Sequence, residues 1–211
     1  MSTVLLHPVC FPNVANLAAM IQNNVLWEVC DNFQKQTYRN RYYIATDQGK
    51  HLLSIPIKHT GKGDGRQKYA NVYIDNSYPW QSQHWKTLQT AYRTSPFFEF
   101  YEDELSHLFQ NKYEKLIDFN WATIRFFENQ LGIKIDTTHR TINYEKHIDL
   151  GLDQRNLVIA KNEKLTGFEP YMQVFQDRHK FIPNLSCLDL LFNEGPNSLA
   201  YLKSQKPMLN A

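Results

Sequence analysis

Several residues in this 211-residue chain carry side chains that could do chemistry. In YRNR, Arg39 and Arg41 flank Asn40. Read as a strand, alternation puts both guanidiniums on one face and Asn40 on the other. Two guanidiniums side by side repel, so an anion is expected opposite them. It is either an Asp or Glu from a neighbouring element, or a phosphate or carboxylate ligand that suits the planar forks. Lys58-His59 ends the next β-rich run and adds basic groups whose distance from Arg39 depends on strand register. Trp80 and His84 stand at i and i+4 and share a helix face. An imidazole titrates near neutrality, so His84 and His59 are candidate acid–base groups, although a histidine packed beside a tryptophan reads equally as structure. His179, in DRHKF, precedes the last helix, whose N-terminus would favour an anion; a surface loop is the plainer reading. Asn193 is the polar residue of that helix left without a task.

Other chemistry is not expected. The eight histidines show neither H-E-x-x-H nor a His-Cys cluster, so no metal is expected. No G-x-S-x-G elbow is present. TGKGDGRQ, 60–67, has neither phosphate-loop nor dinucleotide spacing; it reads as a surface loop, with a phosphate cradle as the sharper alternative, and no cofactor is expected. The three cysteines are odd in number and lie in apolar runs, which reads as buried reduced thiols. A net charge of +2 is too small a bias for nucleic-acid binding. No run approaches the roughly 20 apolar residues of a membrane helix, and Pro8 and Pro12 break up an N-terminus that lacks a basic leader region. A cytoplasmic location is expected.

These residues need elements to hold them. TVLLH and VLWEVC read as strands around a helix that Asn13 caps, a βαβ unit with parallel strands. RNRYYIA and KHLLSIPIK flank Thr46-Asp47-Gln48-Gly49 as a hairpin. YANVYID (69–75), INYEKHIDL (142–150) and MQVFQ (172–176) read as further strands. Three helices fill 77–132, the last closed by Gly132. In FIPNLSCLDLLFNEGP, Ser186 and Asp189 have capping-box spacing ahead of an apolar run, and Gly195-Pro196 reads as its stop. The expected fold is α/β, with the βαβ unit and hairpin strands in a mixed sheet and a helical centre; α+β is the alternative. One domain is expected over 1–198, with a polar tail over 199–211.

QTYRNRYYI (36–44), LLSIPIKH (52–59), IDNSYPWQSQHWKTLQTAYRTSPFFEFYEDEL (74–105) and VFQDRHKFIPNLSCLDLLFNEGP (174–196) together resemble the WbqC-like family, and HPVCFPN resembles its N-terminal proline-aromatic motif. Relatives tend to carry Asp-Leu-Arg and then Pro-Lys; here Gln154 stands between Asp153 and Arg155, and Ala160 precedes Lys161. The family takes its name from a bacterial surface-polysaccharide gene cluster, so the resemblance implies that context. Basic residues near strand ends and abundant aromatics suggest a transferase using an activated sugar or an acyl or aminoacyl donor. Its small anionic ligand, phosphate or nucleotide-sugar-like, would meet Arg39, Asn40, Arg41, Lys58, Trp80, His179 and Asn193. The alternative is a non-catalytic binding or scaffolding protein that accompanies such enzymes.

Overall fold

The computed structural model describes residues 2–58, 66–146, 148, 152–161, 165–206 and 208–209. β1 (Thr3–Leu6) and β2 (Asn24–Trp27) pair in parallel, Leu6 opposite Trp27, across helix α1 (Val14–Gln22). Asn13 caps that helix as its sequence requires, its side-chain oxygen accepting the Asn16 amide at 3.0 Å. β5 (Leu152–Asp153) adds to the other side of β1, also parallel. The sheet order is therefore β2-β1-β5. With all three strands running one way, their carboxyl ends share one edge.

The chain is α/β, but its strands fall into three separate sheets. β3 (Arg41–Thr46) and β4 (Gly49–Ser54) form an antiparallel hairpin that makes a two-stranded sheet of its own rather than joining the parallel one. A short pair, Leu165–Thr166 with Met208–Leu209, makes the third. Around them pack α2 (Trp80–Tyr92), α3 (Phe98–Gln110) and α4 (Leu116–Leu131). Gly132, at φ +62°, closes α4 in the left-handed conformation that its position predicts. Aromatic rings knit the core: Trp27 meets Trp121 edge-on at 4.9 Å, and Phe119 meets Trp80 at 5.2 Å.

Three expected strands do not form among the described residues. Residues 69–71 form a 3₁₀ turn, followed by single bridges at Tyr73 and Ile74. The cause is that the segment divides its backbone bonds among several neighbours: Tyr69 N–H goes to Asp31, Ile74 N–H to Glu114 and Asp75 N–H to Pro56. No single partner strand is left to form a ladder. The described residues of 142–150, and all of 172–176, also lie outside any strand.

The last long apolar run forms α6 (Cys187–Glu194), buried from Cys187 through Asn193. Ser186 Oγ accepts the Leu188 amide at 3.3 Å, but the capping box is not made. The Ser186 N–H donates to Tyr43 O, and Asp189 turns inward. Its carboxylate accepts from Tyr92 Oη at 2.7 Å, Tyr171 Oη at 2.6 Å and Gln173 Nε2 at 2.9 Å. Burial pushes its pKa up, and the three donors only partly oppose that. Gly195 turns at φ +50°, where a Cβ would lie 2.6 Å from the Phe97 ring. Pro196 does not end the fold. A 3₁₀ turn leads into α7 (Ser198–Ser204), which runs on into the stretch read as a polar tail, and Leu202 is fully buried. Gln22 Nε2 holds it by donating to the carbonyls of Leu202 and Gln205.

Candidate functional site

The residues singled out in the sequence do not all meet. Arg39 lies in a turn, two residues before Arg41 opens β3, so the expected pair on one strand does not form. Arg39 is fully buried, ion-paired to Asp31 and set over the Tyr69 ring at 4.8 Å. Of the two partners open to it, a protein carboxylate is the one present. Asn40 donates to Ile55 O at 3.1 Å. Lys58 is exposed, and His59 lies outside the described residues.

His84 sits beside Trp80, ring centres 5.3 Å apart, and both are buried. Its Nδ1 meets Tyr42 Oη at 3.1 Å and its Nε2 meets Ser54 O at 3.2 Å. Burial pushes its pKa down to about 4. With both ring nitrogens engaged, it has none left for a substrate proton. His179 belongs to α5 (Gln176–His179) and meets Asp47 O at the hairpin tip. Asn193 donates to Asp189 O, one helical turn back.

A different cluster occupies the carboxyl edge of the parallel sheet. His7 directly follows β1, Glu28 and Asp31 follow β2, Asp153 ends β5 and Arg155 opens the 3₁₀ turn after it. Ligands of parallel α/β sheets bind at such an edge. His7 Nε2 lies 3.1 Å from Asp31 Oδ2, the oxygen that also takes Arg39 Nη2. Behind them Asn120 Nδ2 donates to Arg39 O, and Tyr69 Oη donates to Pro8 O, so α4 and the 69–71 turn hold the group.

Glu28 is fully buried; Oε1 accepts from Cys30 N and Thr141 Oγ1, each at 2.9 Å. Arg155 grips Asp153 through Nε and Nη2 and lies 3.4 Å from Glu28. It also donates to the carbonyls of Glu145 at 2.7 Å and Lys146 at 3.1 Å. Residues 141–146 are thus tied at one end to β2, through Thr141 on Trp27 and Glu28, and at the other to the end of β5. Both ties lie at the carboxyl edge of the sheet, the edge at which His7 follows β1.

The electrostatics set protonation states. Burial, then Arg39, pushes the His7 pKa down to about 4 against the pull of Asp31. Burial alone would raise Asp31, but the His7 hydrogen bond and Arg39 outweigh it and hold the carboxyl below its ordinary value. His7 is therefore neutral at physiological pH. A carboxylate only accepts, so the His7 proton belongs on Nε2 and Nδ1 keeps its lone pair. His7 Nδ1, Asp31 Oδ1 and Arg39 Nε are all buried without a hydrogen-bond partner, as are Asn120 Oδ1 behind them and Asn13 Nδ2, Asn40 Oδ1 and Arg41 Nε. Buried polar atoms are rarely left so, and three on side chains joined through one oxygen call for an explanation.

Sequence reasoning missed His7, Glu28, Asp31, Asp153 and Arg155 as a group. The signal was positional: VLLH and VLWE each place a polar residue directly after a short apolar strand, at the end where parallel sheets bind ligands.

The fold and this edge define an α/β protein whose polar centre sits at the carboxyl ends of a parallel sheet. The model of the WbqC-like protein family matches residues 18–166, and the chain belongs to that family. It is 22% identical over 219 residues to the uncharacterised Mycobacterium tuberculosis (strain ATCC 25618 / H37Rv) protein Rv1507c, covering 89% of this chain and 90% of the other. No solved structure matches. The family match spans Glu28, Asp31, Arg39, Asp153 and Arg155, while His7 precedes it. No helix among the described residues is long and apolar enough to cross a membrane, and among them no group of three or more His, Cys, Asp or Glu is placed to hold a metal ion.

Proposed function

We propose that the chain is a transferase of bacterial surface-polysaccharide assembly whose centre is the His7–Asp31–Arg39 cluster. The observation that carries this reading is a neutral, buried imidazole fixed at Nε2 by a carboxylate, with a free lone pair at Nδ1. That is the arrangement of a general base with its orienting partner. The polysaccharide setting rests on family membership.

In the proposed step, His7 Nδ1 takes the proton of an acceptor hydroxyl or amine. The freed electron pair forms a bond to the electrophilic carbon of an activated sugar, acyl or aminoacyl donor. The bond from that carbon to the leaving group breaks, its electron pair departs with the leaving group, and the imidazolium returns the proton there. Asp31 stabilises the transient imidazolium. The low proton affinity of His7 keeps the base form fully populated at neutral pH and makes its conjugate acid a strong proton donor.

The test is a panel of nucleotide sugars and of acyl and aminoacyl thioesters, each with sugar acceptors, followed by mass spectrometry. His7→Gln should lower product formation by about 10²- to 10⁴-fold in protein that remains folded. Undiminished product from a folded His7→Gln protein would overturn the assignment. Donor-dependent stabilisation without product from any pair would favour a binding or scaffolding role instead.

A further inference from the structure

From the three unpartnered atoms of the carboxyl-edge cluster we infer that the group bound there is a vicinal pair of hydroxyls, and not an anion or an ammonium; this rests on the reading of His7 as the base. The three side chains are at least nine-tenths buried: His7 and Asp31 are each 5% exposed and Arg39 is 0% exposed. Two of the open atoms, His7 Nδ1 and Asp31 Oδ1, are acceptors; the third, Arg39 Nε, is a donor. A fitting ligand supplies two donors and one acceptor.

Elimination by chemistry follows. Phosphate at neutral pH and carboxylate offer chiefly acceptors. They would answer Arg39 Nε alone and set negative charge against Asp31, whose carboxylate already neutralises the guanidinium. An ammonium offers donors and no acceptor; it would leave Arg39 Nε open and place a second cation beside the guanidinium. A hydroxyl does both. One hydroxyl of a pair donates to His7 Nδ1 and the other to Asp31 Oδ1, and either oxygen accepts from Arg39 Nε. The hydroxyl on Nδ1 is then the one whose proton His7 removes. A site built from buried polar groups rejects ligands that leave those groups unpaired, because each such group costs about 1–3 kcal/mol. The anion clamp expected from the arginines is replaced by a neutral-ligand site, because Asp31 occupies the place of the anion.

The experiment follows the ring nitrogens and Cε1 of His7 by NMR in the full chain. Added separately at matched ionic strength are cis-1,2-cyclohexanediol, cyclohexanol, sodium phosphate and ethylammonium chloride. The diol should shift the His7 signals saturably, with a Kd about tenfold or more below that of cyclohexanol. Phosphate and ethylammonium should leave them in place. Arg39→Lys, which keeps the charge and removes Nε, should weaken the diol by a similar factor; if that variant does not fold, the wild-type series decides. A response to phosphate or ethylammonium that matches the diol's overturns the inference. So does no response to the diol, which would mean that an ordered water only completes the cluster. The ligand-free spectrum separates this from the reading beneath it. A proton on Nδ1 refutes His7 as the base, whereas a bare Nδ1 that ignores the diol refutes the diol alone.

Discussion

Replacing His84 by Gln should cost stability at pH 7.5 and much less at pH 5. The imidazole is buried with a folded pKa of about 4, against 6.5 for an unperturbed histidine. A group whose folded pKa is depressed takes up its proton in the unfolded chain first. Its contribution is therefore intact above pH 6.5 and is lost as pH falls from 6.5 toward 4. At pH 7.5 neither state is appreciably protonated, and the difference is about 0.1 kcal/mol. At pH 5 the unfolded side chain binds a proton that the folded one refuses, which stabilises the unfolded state by about 2 kcal/mol.

His84→Gln removes that linkage. At pH 7.5 it also loses hydrogen bonds to Tyr42 and Ser54 and the packing on Trp80, about 1–3 kcal/mol in all. The cost of the substitution should thus shrink by about 2 kcal/mol between the two pH values. Urea unfolding of both proteins at both pH values measures it. Asp31 and Asp189, which titrate with opposite signs, are present in both proteins and cancel in the difference. An equal cost at pH 7.5 and pH 5 would show that His84 ionises as freely folded as unfolded, and the account of its burial would fail.

Three further outcomes follow from the packing. Asp189→Ala strands two phenols and an amide and should destabilise by about 3–5 kcal/mol in denaturant unfolding, well above the 0.5–2 kcal/mol of a lost helix cap. Leu191→Ala, at a position 1% exposed, should cost about 2–5 kcal/mol, and an unchanged midpoint would contradict the burial of α6. Arg155→Ala removes the bonds to the carbonyls of Glu145 and Lys146, so limited proteolysis within 141–146 should quicken by tenfold or more while the far-UV spectrum is kept.

Much of the fold was legible because its signals are local. Asn13 before an apolar run, Asp47-Gln48-Gly49 between β-rich runs and Gly132 after a long periodic stretch each specify their own turn or cap. The misreadings arose where a distant partner outbid a local one. Asp189 has capping-box spacing from Ser186, yet two tyrosines from other segments claim its oxygens. Tyr69 to Ile74 has strand composition, but its backbone bonds are divided among several neighbours. The candidate site was the least legible part. His7, Asp31 and Arg39 gain meaning from the sheet order β2-β1-β5, which no spacing along the chain encodes. Arg39 and Arg41 drew notice as a charged repeat, but the one that joins the cluster is the one outside the strand.

The 141–146 strap carries its own clock. The Cys30 thiol, half-buried, donates to Thr141 O at 3.3 Å, so it is engaged by the residue at which the strap is tied to β2. Cys10 and Cys187 lie in the core, where burial pushes their thiols well up. An alkylating reagent therefore meets one reporter and two silent cysteines. The rate at which Cys30 is modified counts how often this end of the strap comes free, in the unaltered protein and before any substrate is known.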